Sequence, residues 1–158
     1  MTTRRQLVRG LLLAPLAGLA PGPVAATDYA SAAEALTAVD RMEAEVDARW
    51  AALAQAVPAA RKLKDAFRAD HQVHRAARAQ VRKRLGLPTG PAPSALTPSV
   101  PSLAALRKAQ EALVYAHAEG LPALGDANAV ATLARHLVVE SRQLAVIGLW
   151  MDAEATRG

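Results

Sequence analysis

A chain of 158 residues is the size of one domain. Its apolar share is carried largely by alanine, with only two Trp, two Tyr and one Phe, a balance that fits a helical bundle and not a sheet protein. It has no cysteine, which excludes disulfides, cysteine-ligated zinc, iron–sulfur clusters and thioether-linked haem.

The first residues read as a targeting segment. Thr3-Arg4-Arg5-Gln6-Leu7-Val8-Arg9 closely resembles the twin-arginine export signal of bacteria. An apolar run, Gly10 to Ala20, follows, and Val24-Ala25-Ala26 suits signal peptidase, with cleavage after Ala26. That run is short of the roughly 20 residues of an ordinary membrane span. Residues 1–26 are thus expected to be a signal peptide and 27–158 the mature domain, periplasmic or secreted, or membrane-anchored if the signal stays uncleaved. Its first partner is then the twin-arginine export machinery. The formal charge of +5 loses Arg4, Arg5 and Arg9 with the signal, leaving 5 − 3 = +2, so the basic balance is partly an export feature and gives no support to nucleic-acid binding.

The mature chain is expected to form four helices. The first runs from about Asp28 to Val57, capped by Thr27 or Asp28 or, alternatively, by the capping box Ser31-x-x-Glu34. Its apolar stripe is Leu36, Val39, Val46, Trp50, Leu53 and Val57, with Glu43 about 40° from the centre at 100° per residue. After Pro58 the second helix spans about 59–85, with the stripe Leu63, Phe67, Ala77, Val81 and Leu85. Asp70 and His74 fall near the middle of that stripe, His71 at its edge, and most of the Lys and Arg residues elsewhere on a solvated face that includes Arg75 and Arg82. Leu85-Gly86-Leu87-Pro88 is a strong stop signal.

Residues 86–101 form a linker with five prolines, at 88, 91, 93, 98 and 101. At about 3.1 Å per residue in a polyproline-like form it reaches about 50 Å, more than the roughly 39 Å of a 26-residue helix. It is therefore long enough to cross the bundle from end to end. The third helix runs from about 102 to 119, with the stripe Leu103, Leu106, Ala109, Leu113 and Ala116, His117 within it and Gln110 beside it. The fourth runs from about 127 to 152 behind a cap at Gly125-Asp126, with the stripe Val130, Leu133, Leu137, Ser141, Leu144, Gly148 and Met151. Glu140 lies on its flank and His136 further round, while Leu149 and Trp150 lie outside the stripe, at a bundle end or on a contact surface.

Each helix thus places a metal-capable side chain on or beside its apolar stripe: Glu43, Asp70 and His74, His117, and Glu140, with His71 and His136 as secondary candidates. Counted from Pro58, Glu43, Asp70 and His74 fall within roughly 6 Å of one another in height at 1.5 Å per residue. If the linker crosses the bundle, His117, His136 and Glu140 join them at mid-height, within about 10 Å. Simpler pairings exist for each: Asp70 with His74 four residues on, Glu43 with Arg78, His117 with a backbone carbonyl or Gln110, and Glu140 with solvent.

Four helices, a long crossover between the second and third, and inward carboxylates and imidazoles resemble the ferritin-like superfamily. The resemblance implies an all-α four-helix bundle with a core site for iron, manganese or zinc. The chain departs from the family's pattern in having no Glu-x-x-His pair; it offers Asp70-x-x-x-His74, His71-x-x-His74 and the reversed His136-x-x-x-Glu140, so ferroxidase roles do not carry over residue by residue. His71-x-x-His74-Arg75 looks like a motif of some exported ferritin-like proteins. Two other readings compete. One is a non-enzymatic envelope module that binds a protein partner or a second copy and keeps its buried polar residues for packing. The other is a b-type haem bundle with His74 and His117 as axial ligands. No hydrolase triad and no Gly-rich phosphate loop is present.

Overall fold

Three of the four helices start where a short polar side chain can take up a free backbone N–H. In the computed structural model, which describes residues 29–90 and 101–156, Ser31 accepts a hydrogen bond from the Glu34 amide and opens α1 (Ala32–Ala56). Glu34 reaches back to the Ala30 amide at 2.9 Å, so the capping box and not Thr27 or Asp28 sets the start. Ser102 and Asp126 do the same for α3 (Leu103–Gly120) and α4 (Ala127–Ala155). α2 (Ala60–Arg84) follows α1 directly through the Val57–Ala59 turn and has no side-chain cap. A short 3-10 turn, Leu121–Ala123, separates α3 from α4.

The end of α2 follows the glycine signal in the sequence. Gly86 takes φ +64°, and the amides of Gly86 and Leu87 bond the carbonyls of Lys83 and Arg82, closing the helix with a left-handed residue. The chain then runs back against α1 so closely that a Cβ on Gly90 would lie 2.8 Å from Oδ2 of Asp40. The expected export signal and most of the proline-rich stretch, residues 91–100, lie outside the described residues.

All secondary structure among the described residues is helical, in four α-helices. α1 packs on α3 and α2, and α4 packs on α3 and α2. Side-chain pairs fix the directions. Asp40 with Arg82 and Asp47 with Arg75 make α1 and α2 antiparallel, while Asp70 with Gln143 and His74 with Glu140 do so for α2 and α4. Gln110 with Glu140 and His117 with His136 make α3 and α4 antiparallel, so α3 points the same way as α2.

The apolar core is in two parts. At the end where α1 turns into α2, Trp50, Leu53, Phe67, Leu106 and Ile147 cluster, with Trp50 edge-on to Phe67 and stacked on Trp150. Trp150 therefore does close a bundle end, whereas Leu149 is exposed. Toward the other end lie Leu36, Val81, Leu121, Leu124 and Leu133. Between these groups along each helix come the buried polar residues. No helix among the described residues is long and apolar enough to cross a membrane.

Two glycines test this account of the backbone. Gly86 has free space for a Cβ but a left-handed φ, so Gly86→Ala is expected to cost about 1 kcal/mol. Gly148 lies inside α4 with nothing within 4 Å of a built Cβ, so Gly148→Ala is expected to stabilise by about 0.5–1 kcal/mol. Urea unfolding of both variants checks the pair of opposite signs.

Candidate functional site

α2 buries Phe67, His71, His74, Arg78, Val81 and Arg82, a helical stripe that is polar through its middle. This corrects three expectations. Asp70 is exposed, one position away from the buried face, and accepts a hydrogen bond from Nε2 of Gln143 at 3.0 Å. His71, expected at the edge, is fully buried. Arg82, expected on the solvated face, is buried against Asp40, and Arg75 is ion-paired with Asp47. α4 buries Leu133, His136, Leu137, Glu140, Gln143, Leu144 and Ile147, so Glu140 is at the centre of its inward face and not on a solvated flank. α1 and α3 follow expectation, with Glu43, Gln110 and His117 all fully buried.

The result is a polar layer across the bundle. On its α1–α2 side the charges are saturated. Arg78 donates from Nη1 to Oε2 of Glu43 at 2.9 Å and from Nη2 to Oε1 at 2.8 Å, and its Nε donates to Oδ1 of Asp40 at 2.7 Å. Arg82 Nη2 holds the other Asp40 oxygen at 2.8 Å. Arg75 Nη2 holds Oδ2 of Asp47 at 2.9 Å, and His71 Nδ1 donates to Oδ1 of Asp47 at 2.6 Å. The expected pairing of Glu43 with Arg78 is therefore present. The pairing of Asp70 with His74 is not, because His74 Nδ1 points across to Oε1 of Glu140 at 2.8 Å.

The α3–α4 side is centred on Glu140. Its Oε2 accepts from Nε2 of Gln110 at 2.7 Å, and Nε2 of His71 lies 3.4 Å away. Ligand atoms of Glu43, His71 and Glu140, one from each of three helices, lie within 4.8 Å of one another. His136 stacks on His74 with ring centroids 4.0 Å apart and stands perpendicular to His117 at 6.0 Å. All four histidines of the chain are thus buried in one layer. Three of their nitrogens, Nε2 of His71, Nε2 of His117 and Nδ1 of His136, have no hydrogen-bond partner. His117 Nδ1 donates to the Leu113 carbonyl at 3.0 Å.

Burial and partners push the titrations apart. Burial opposes charge on His71, but Asp47, Glu140 and the Glu43 charge outweigh it and raise its pKa to about 10. Burial lowers His117 to about 4, and burial with the charges of His74 and His117 lowers His136 to about 3. Burial alone would raise Glu140, yet His71 and His74 hold it far below the usual carboxylate range. Sequence reasoning did not single out Asp40, Asp47 or Gln143. A signal for the first two was there: Asp40, Glu43 and Asp47 repeat at helical spacing on α1, opposite Arg82, Arg78 and Arg75 on an antiparallel α2.

No protein family, curated protein or solved structure matches this chain.

Arg78→Met would leave Glu43 buried beside fewer cations and is expected to cost about 3–5 kcal/mol, with part recovered in the Arg78→Met, Glu43→Met double variant. A double-mutant cycle in urea measures it. The pH dependence follows from the shifts. His117 and His136, lowered from 6.5, contribute stability that is present above pH 6.5 and is lost as the pH falls toward their folded values. The stabilisation at His71, raised from 6.5, is present below pH 6.5 and is lost as the pH rises through about 10. The urea midpoint is expected to peak near pH 6.5, where these two windows meet, and His71→Asn to flatten the alkaline limb.

Proposed function

We propose that this chain is an exported, ferritin-like four-helix bundle that binds a divalent metal ion in its core. The observation that carries this reading is the environment of Glu140. It is a fully buried carboxylate with all four histidines of the chain in its layer, and Nε2 of His117 and Nδ1 of His136 there have no hydrogen-bond partner. Oxygen and nitrogen donors of this kind suit iron, manganese or zinc. The Leu113–His117 hydrogen bond fixes one nitrogen of that ring and leaves its Nε2 without a hydrogen-bond partner, the arrangement that orients metal-ligating histidines.

The ferritin-like part rests on helix direction and linker length. α2 and α3 point the same way, and a linker of the composition of residues 86–101 is long enough for a crossover, at about 3.1 Å per residue if polyproline-like. The export part rests on the residues from Thr3 to Ala26. A twin-arginine route would release the bundle already folded, with its core site closed.

A second reading is favoured by the Arg78 contacts: the layer is a packing device with no metal, fixing which helix meets which. Buried charge networks can serve such specificity while adding little stability. The two readings separate on natively purified full chain. The metal reading expects near-stoichiometric iron, manganese or zinc by elemental analysis, and a rise in Tm on adding Fe²⁺, Mn²⁺ or Zn²⁺ to chelator-treated protein. No bound metal together with an unmoved Tm would establish the packing device.

A further inference from the structure

The outward face of α4 carries two of the three large hydrophobic side chains exposed among the described residues, Val138 at 47% and Leu149 at 69% exposure. Between Ala131 and Asp152 the exposed positions of this helix advance by four and three residues in strict turn. A mean step of 3.5 residues is that of the a and d positions of a coiled coil, the seam along which two helices supercoil. The opposite, buried face of α4 is already taken by α2 and α3, so this second seam is not used within the described chain. The third exposed hydrophobe, Val73 of α2, lies at the height of the seam's centre, because its neighbours Asp70 and His74 bond Gln143 and Glu140.

The ends of the seam carry opposite charges. Arg135 lies toward its N-terminal end and Asp152 at its C-terminal end, both exposed, and neither side chain has a hydrogen bond or ion pair among the described residues. A face that is apolar in its middle, basic at one end and acidic at the other is complementary to itself turned end for end.

We propose that two copies of this chain associate through α4, antiparallel, about a two-fold axis passing between Gln143 and Leu144. In that register Val138 of one copy is level with Leu149 of the other, Arg142 with Ala145, and Arg135 with Asp152, each pair occurring twice by symmetry. Each pair joins one position from either side of the seam, as interlocking of antiparallel helices requires. Val138 and Leu149 form the apolar layers. Ala145 is small enough for the aliphatic stem of Arg142 to lie across it with the guanidinium in solvent. Arg135 and Asp152 close each end with an ion pair. A parallel pairing would instead set every residue beside its own copy, Arg135 on Arg135, Arg142 on Arg142 and Asp152 on Asp152, so like charge decides against it. The seam residues are exposed and none belongs to the buried polar layer, so this association holds whether or not that layer binds a metal.

The test is sedimentation equilibrium of the full chain from about 5 to 500 µM, a range that brackets the weak affinity of one helix against one helix. A reversible monomer–dimer equilibrium is expected. Leu149→Glu is expected to weaken it at least about tenfold while leaving the helical circular dichroism unchanged, since this side chain is outside the core. Arg135→Glu and Asp152→Arg are each expected to weaken the dimer about threefold or more, and the double variant to restore it to within about twofold. Because the chain has no cysteine, single cysteines report the direction. With a short bifunctional maleimide, Ala145→Cys, beside the axis, is expected to cross-link to its own copy, and Ala131→Cys, level with Thr156 of the second copy, is not. A monomer at every concentration, a dimer indifferent to Leu149→Glu, a charge-swapped double variant no tighter than the single variants, or equal cross-linking at both cysteines would overturn the proposal.

Discussion

Keeping the charge on Glu140 out of water is the constraint that the rest of the layer answers. An isolated carboxylate in an apolar interior costs several kcal/mol, so it persists only where hydrogen bonds and opposite charge replace the lost hydration. Here His74 and Gln110 donate to its two oxygens, and His71, kept protonated between Asp47 and Glu140, supplies the charge. His71 can do this only because Asp47 on α1 holds its other nitrogen, and Asp47 is in turn held by Arg75. One buried charge on α4 thereby commits residues on all the other three helices.

Across the layer the charges balance. Asp40, Glu43, Asp47 and Glu140 face Arg75, Arg78, Arg82 and a protonated His71, four against four. The α1–α2 half of this set is a ladder in which successive acids on one helix meet successive cations on the other, so a slip by one helical turn would unpair several buried groups at once. That fixes register more than it adds stability. The other half is different in kind. It has a single carboxylate, Glu140, beside the neutral rings of His117 and His136, whose Nε2 and Nδ1 have no hydrogen-bond partner.

Much of this was visible in the residue order. Ser31, Gly86, Ser102 and Asp126 mark helix ends by chemistry that acts locally, and each does so in the structure. The gathering of polar residues at mid-height followed from counting residues from Pro58. The faces of α2 and α4 were harder, for opposite reasons. On α2 the central positions of the buried stripe are His71, His74 and Arg78, so apolar residues alone could not locate it, and Ala77 drew the estimate toward Asp70. On α4 apolar residues lie nearly all round, with Val130, Leu133, Val138, Val139, Val146 and Leu149 on different sides, so Glu140 looked peripheral. Both offsets were about 60–100° of rotation, at most one residue position, and tertiary partners decide that difference.

Whether a metal ion joins the protein partners of Glu140, which include His71 Nε2 at 3.4 Å, separates the two functional readings. The direct measurement is an anomalous difference map, recorded across the zinc absorption edge, from crystals of the zinc-loaded chain. One strong peak in the layer bonded to Glu140 is the expected result. A map with no peak in the layer would contradict it.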